Sequence, residues 1–262
     1  MSLDSYATEA AISLGVKLKG TTKRLSPHLR LDNIVDIGWP PNLEEVLALK
    51  PDLLIGELDN LQSDYSLWSH IAPTVVYHNK SLTEWKLPFM LIAEALGQTE
   101  KALQIVAQYN ARVAEFKARM GERLKQTLIS VVNFYPEVIM VRPKSSFSGA
   151  ILEELGLDRP RLQKLNPTAI VKLSGIPGMY MISTELMTQM DANILFVLDP
   201  GFPTLVDSKL VLKRFMAEPL WSKLKVVQED KVYVVGHYWF FGSYLSALLV
   251  LDDLFNYLVE KQ

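Results

Sequence analysis

Asn42-Leu43-Glu44-Glu45-Val46-Leu47-Ala48-Leu49-Lys50-Pro51-Asp52-Leu53-Leu54-Ile55 decides the fold class. Asn42 is a favoured N-cap residue, and Glu44 and Glu45 put carboxylates at the positive end of the helix dipole. Residues 43–50 are predicted helical, and Pro51 stops the helix. Residues 53–56 then form the short apolar run of a strand covered on both faces. A capped helix, a sharp stop and a buried strand make one unit of α/β architecture.

The same alternation extends outward in both directions. Residues 3–14 read as a helix closed by Gly15, with turns at Ser26-Pro27 and Trp39-Pro40-Pro41. Residues 67–71 are helical, 74–77 form a β-branched strand, and 83–96 form a helix closed by Gly97. Residues 99–125 carry Ala102, Ile105, Val106, Tyr109, Val113, Phe116 and Met120 at helical spacing. That helix would be about 40 Å long. Beyond it, strands are predicted at 128–132, 138–141, 194–198 and 231–235, and helices at 148–155, 210–215 and 243–259, with another helix opening at Ser183-Thr184-Glu185. The fold class is therefore α/β: two Rossmann-like lobes joined by one long rigid helix, with a ligand cleft between the lobes. The expected divisions are 1–98 for an N-terminal lobe whose first strand is missing, 99–125 for the bridging helix and 126–262 for the C-terminal lobe. An ungapped echo supports related lobes: Glu44 to Ile55 aligns with Glu185 to Phe196, each with a Glu in the first helical turn ahead of an apolar strand.

Composition narrows the function. The chain has 262 residues, a formal charge of −2, 49% hydrophobic residues and no cysteine. The near-neutral charge argues against a dedicated nucleic-acid binder. The lack of Cys excludes thiol catalysis, iron–sulfur ligation and disulfides. No stretch reaches the roughly 18 apolar residues that span a bilayer. Met1-Ser2-Leu3-Asp4 has no basic region or apolar core, so the chain is expected to be cytosolic or to lack its leader.

Phosphate-loop, dinucleotide and nucleophile-elbow motifs are missing. Gly175-Ile176-Pro177-Gly178 has the wrong spacing for a phosphate cradle and is expected to form a turn or cleft-edge loop. His28, His70, His78 and His237 are scattered, without metal-ligand spacing. The concentrated signal is His237-Tyr238-Trp239-Phe240-Phe241-Gly242, which follows a strand and precedes the last helix. Ligands of α/β lobes sit beyond the carboxyl ends of strands. Tyr238 and Trp239 are expected to face the ligand, with at least one of Phe240 and Phe241 in the core. Arg142 and Lys144 follow another strand and suit an anionic ligand. Trp39 either walls the cleft or packs on its prolines. Tyr77, at a strand end, and Tyr180, in the loop Met179-Tyr180-Met181, are further candidates.

Pro41 to Ile55, His70 to Val75 and Leu96-Gly97 resemble the solute-binding proteins that serve ferric-siderophore and cobalamin ABC transporters. So do Phe147 to Leu157, Arg159-Pro160, Gln163, Ile182 to Leu186, Pro219-Leu220-Trp221 and the end from Val232 to Leu258. The resemblance implies two lobes on a rigid helix, no catalysis, no cofactor, and no metal bound by the protein itself, the iron being held by its chelator. It implies a monomer outside the cytoplasm that hands its solute to a permease and its ATPase, meeting the membrane only through the permease or a lipid anchor. Glu44 and Glu185, the pair aligned by the echo, match the positions that dock on permease arginines. The family's signal peptide and first strand are absent here. So is the Arg that precedes Pro-Asn-Leu-Glu in hydroxamate binders, where this chain has Gly38-Trp39-Pro40. That leaves Arg142 as the cationic grip, and a citrate- or carboxylate-containing ferric chelate suits Arg142, Lys144 and His237 as ligand-binding residues. Cobalamin, haem or bare metal on the same fold is the alternative, and a cytosolic α/β enzyme the alternative from another class.

Overall fold

The computed structural model describes residues 1–23, 28–61, 64–78, 82–175, 179–199 and 208–260. Ser26-Pro27 and most of the 175–178 turn lie outside the described residues. The chain forms two units: one of residues 1–110 with 242–248, the other of 111–241 with 249–262.

In the first unit, α1 (Ser5–Ser13) is capped by Asp4, whose carboxylate accepts from the Ala7 N–H. β1 (Gly20–Thr21) and β2 (Val35–Asp36) pair in parallel. α2 (Leu43–Ala48) starts at Asn42, whose side chain accepts from Glu44 and Glu45 N–H groups, as its sequence predicts. β3 (Leu54–Glu57), α3 (Leu58–Leu61), α4 (Tyr65–Ile71) and β4 (Thr74–Tyr77) follow, with β3 and β4 parallel in the register Leu54↔Thr74. Met1–Leu3 runs extended along β3: Ser2 bridges Ile55 in parallel, and Leu3 N–H donates to Ile55 O at 2.8 Å. Leu3, Ile37, Val46, Leu54, Leu61, Trp68 and Ala72 fill the core. Leu61 presses on Gly56, where a Cβ would lie 2.6 Å from Leu61 Cδ1. α5 (Leu87–Ala95) begins later than its pattern suggests, and its Phe89 joins Trp85, Tyr109 and Tyr244 in an aromatic cluster.

α6 (Thr99–Met120) crosses the division between the units at 110/111. It ends short of the predicted Lys125, because Gly121 takes φ +54° and the chain tightens into a 3₁₀ turn, Gly121–Gln126.

The second unit is built on one five-stranded sheet. β5 (Ile129–Tyr135) and β6 (Val138–Val141) form a hairpin. α7 (Phe147–Leu155) is capped by Ser146 and closed by Gly156 at φ +82°. α8 (Pro167–Ser174), absent from the sequence reading, starts at Asn166. Tyr180 lies not in a loop but in β7 (Tyr180–Ser183), an edge strand with alternating burial. The helix predicted to open at Ser183 is a 3₁₀ helix, Thr184–Met190. β8 (Ile194–Leu198), α9 (Ser208–Met216), α10 (Lys225–Gln228), β9 (Val232–Val235) and α11 (Tyr244–Phe255) complete the order. The strand order is β7-β6-β5-β8-β9, with β8 and β9 parallel to β5, and β6 antiparallel to both its neighbours. One sheet face buries Val132, Phe134, Ile139, Val141, Leu195 and Val197 in a large apolar core with Trp221 and Phe215. The opposite face carries Val131, Asn133, Arg142 and Phe196.

Candidate functional site

Arg142 directly follows a strand, as the sequence predicts. That strand, β6, runs against β5, so its end lies at the edge away from the carboxyl ends of β5 and β8. The side chain corrects this by folding back along the sheet. Arg142 N–H donates to Val131 O, while Nε donates to Asn133 Oδ1 at 2.7 Å. Asn133 Nδ2 in turn donates to Leu198 O, at the carboxyl end of β8 and level with Val235 at the end of β9. The guanidinium thus reaches the strand ends where an α/β unit binds its ligand.

Arg142 is fully buried. Its guanidinium lies 3.8 Å from the centre of the Phe240 ring, a desolvated cation–π contact. Among the described residues it makes no ion pair, and Nη1 and Nη2 have no hydrogen-bond partner. Burial lowers its pKa to about 10, so it stays charged at neutral pH. A buried cation with idle donors is unfavourable by itself and favourable once anionic oxygens complete it.

The aromatic segment divides differently from the sequence expectation. Residues His237–Trp239 form a 3₁₀ turn, in which positions three apart share one side. His237 and Phe240 are stacked, with centroids 5.5 Å apart and planes 6° from parallel, and Phe241 meets both rings edge-on. Trp239 points the other way. It is fully buried against Phe196, and its Nε1 donates to Asp253 Oδ2 at 2.7 Å. Tyr238 Oη donates to the same carboxylate oxygen at 2.9 Å. So Trp239 is core, not a ligand wall, and Tyr238 anchors the turn. Phe240 is the ring that meets Arg142.

The other candidates are dispersed. Lys144 Nζ lies 3.9 Å from Glu153, in a groove of about 470 Å³ also lined by Lys125, Asp158 and Lys164; none of the residue 237–241 rings lines that groove. Tyr180 is buried, and burial raises its phenol pKa despite the nearby Arg159 charge. Tyr77 is buried too, with its Oη donating to Asp4 Oδ1 at 2.6 Å. Trp39, beyond β2, stays 40% exposed. Glu44 and Glu185 are exposed, and each has exposed apolar neighbours: Leu43 and Leu47 for the first, Met181 and Leu186 for the second. Among the described residues no three His, Asp or Glu side chains are grouped to hold a metal ion.

In the first unit, the strand ends carry a pH-sensitive carboxyl. Burial, with the charges of Asp4 and Asp59, raises Glu57 from 4.5 to about 7, and Asn60 Nδ2 donates to it at 2.9 Å. Burial also raises Asp4. Between those two values the folded chain binds a proton that the unfolded chain lacks. The stability due to Glu57 is therefore present below its unfolded value and lost as pH rises through about 7. The melting temperature is expected to fall as pH is raised from 4.5 to about 7, and Glu57→Gln is expected to flatten that slope in a pH series of thermal melts. An unchanged slope would remove Glu57 from the account.

Comparisons with known proteins identify the family and the fold. A family model described as periplasmic binding protein matches residues 12–238. The probable siderophore-binding lipoprotein YfiY of Bacillus subtilis is 27% identical, over 99% of this chain and 82% of its own. The Fe(3+) dicitrate-binding periplasmic protein FecB of Escherichia coli is 23% identical, over 87% of this chain and 72% of its own. Staphylococcus aureus SirA superposes with TM-score 0.80 at 29% identity, covering 99% of this chain and 98% of SirA. Its complex with staphyloferrin B gives 0.78 at 27%, covering 100% and 93%.

Proposed function

Because this chain belongs to the periplasmic binding protein family, we propose that it captures a ferric siderophore outside the cytoplasm and delivers it to an ABC importer. The observation that carries the ligand class is Arg142, a buried guanidinium under an aromatic ring with both terminal nitrogens unpartnered among the described residues. Carboxylate oxygens at the periphery of a ferric chelate match its fork with two parallel bonds. Phe240, whose ring lies against the guanidinium, offers an apolar face to the organic scaffold. The relatives' names, which include a dicitrate binder and a complex with a siderophore, support this reading. The iron is cargo, held by its chelator, and the protein supplies charge and shape rather than catalysis. It works as a monomer, reaching the membrane through a permease or a lipid anchor.

Incubating the protein with ferric citrate, haem or cobalamin, removing free ligand and recording visible spectra tests the ligand class. Iron retained with its chelator is the expected outcome; retention of haem or cobalamin instead would overturn it. Glu44 and Glu185, each exposed beside apolar neighbours, suit docking on basic residues of the permease. Glu44→Ala and Glu185→Ala are expected to keep chelate affinity and abolish uptake into cells. Weakened binding by the purified variants would place these carboxylates in the ligand site and end the docking role.

A further inference from the structure

Arg159 is a second buried cation outside the site just described. It is 4% exposed and makes no ion pair among the described residues. Glu153 exerts only a Coulombic pull on it and itself faces Lys144. The Arg159 Nε and Nη2 donate to Gln163 Oε1, and Nη2 also donates to the main-chain carbonyl of Arg142. Gln163 in turn accepts from Val131 N–H and donates to Ser130 Oγ at 2.7 Å, both on β5. Its carbonyl accepts from Lys144 N–H at 2.9 Å. The turn after β6 is clamped from the other side as well. Ser146 Oγ donates to Pro143 O, and Gly149 packs so closely that a Cβ would sit 2.1 Å from that oxygen. The backbone carrying Arg142 is thus fixed by more contacts than a connecting turn requires.

We infer that Arg159 is the positioning residue of the chelate grip: it anchors the Arg142 main chain and adds a second buried positive charge behind it, so that the site prefers chelates carrying two or more negative charges. This rests on the ferric-chelate reading above. A bidentate contact needs its fork held in place, and a clamped main chain leaves only the side chain to order. The second cation adds attraction for any anionic ligand and none for an uncharged one.

Two variants separate clamp from charge. Arg159→Gln removes both. Gln163→Glu keeps the clamp, because a carboxylate can accept the bonds from Val131 and Arg159, but neutralises the Arg159 charge where it lies. Affinities for ferric citrate and for an uncharged ferric trihydroxamate are measured at several salt concentrations, with thermal melts on the same samples. Both variants are expected to bind ferric citrate more weakly with a shallower salt dependence, Gln163→Glu on the order of tenfold from the loss of one nearby charge and Arg159→Gln by more, because the anchor on the Arg142 main chain goes with it. Gln163→Glu is expected to melt no lower than wild type, and any binding of the trihydroxamate is expected to be unchanged. If folded Gln163→Glu binds ferric citrate like wild type with the same salt slope, the inference is overturned while the ferric-chelate reading stands. If wild type binds neither chelate, that reading falls and the inference falls with it.

Discussion

Arg142→Met is expected to fold, to melt at or above the wild-type temperature, and to lose ferric-chelate binding. The two effects have opposite signs because one group causes both. In the free protein the guanidinium is buried against Phe240 and bonded only through Nε to Asn133, with no carboxylate paired to it among the described residues. Removing a lone buried cation relieves its desolvation cost, which offsets the lost cation–π contact and the Asn133 Oδ1 left without its donor, about 1–3 kcal/mol. Met has the length and flexibility to fill the space, and Asn133 keeps its bond to Leu198 O. Losing a hydrogen-bonded charge pair to the ligand costs about 2–5 kcal/mol, a factor of roughly 30 to several thousand in affinity. Thermal melts and chelate titrations on the same preparation check both. A destabilised Arg142→Met that still binds would make Arg142 a structural residue.

The second large effect separates two adjacent aromatic residues. Trp239→Ala is expected to destabilise the protein by about 3–5 kcal/mol, the usual cost of emptying a large aromatic site. The loss includes packing on Phe196 and the hydrogen bond to Asp253. Phe240→Ala, one residue on, is expected to cost only about 1–2 kcal/mol of stability, mainly the cation–π contact. It is expected to weaken chelate binding about tenfold through loss of one stacking surface. Urea unfolding and titration of both variants decide between them. Native stability with abolished binding in Trp239→Ala would return Trp239 to the ligand site and make Phe240 the core residue.

Local signals made much of the fold legible. Asn42 caps α2, Pro51 follows it, and β4, β6 and β8 occupy the residues their apolar runs indicated. What the sequence hid is backbone geometry that a run of residues does not encode. Gly121 ended the long helix early by adopting a positive φ, although the apolar spacing continued toward it. β7 alternates buried Tyr180 and Ile182 with exposed Met181 and Ser183, a period-two signal too short to stand out beside a glycine-rich turn. The site was half legible. Arg142 was found by following β6, although only its folded-back side chain carries it to the strand ends. The choice between Trp239 and Phe240 depended on the 3₁₀ turn, which swings each residue about a third of a turn from the last. Arg159 and Gln163 mattered only once folding brought their side chains to β5 and to the carbonyl of Arg142.

The central claim is that Arg142 and its rings form a grip for an anionic ferric chelate. Tryptophan-fluorescence titration of the whole chain with carboxylate, hydroxamate and catecholate ferric complexes tests it most directly. Saturable quenching by a carboxylate-bearing complex is expected, with Kd below about 10 µM, roughly −7 kcal/mol, and with weaker binding of an uncharged hydroxamate. If no ferric chelate binds below that concentration, the claim is contradicted.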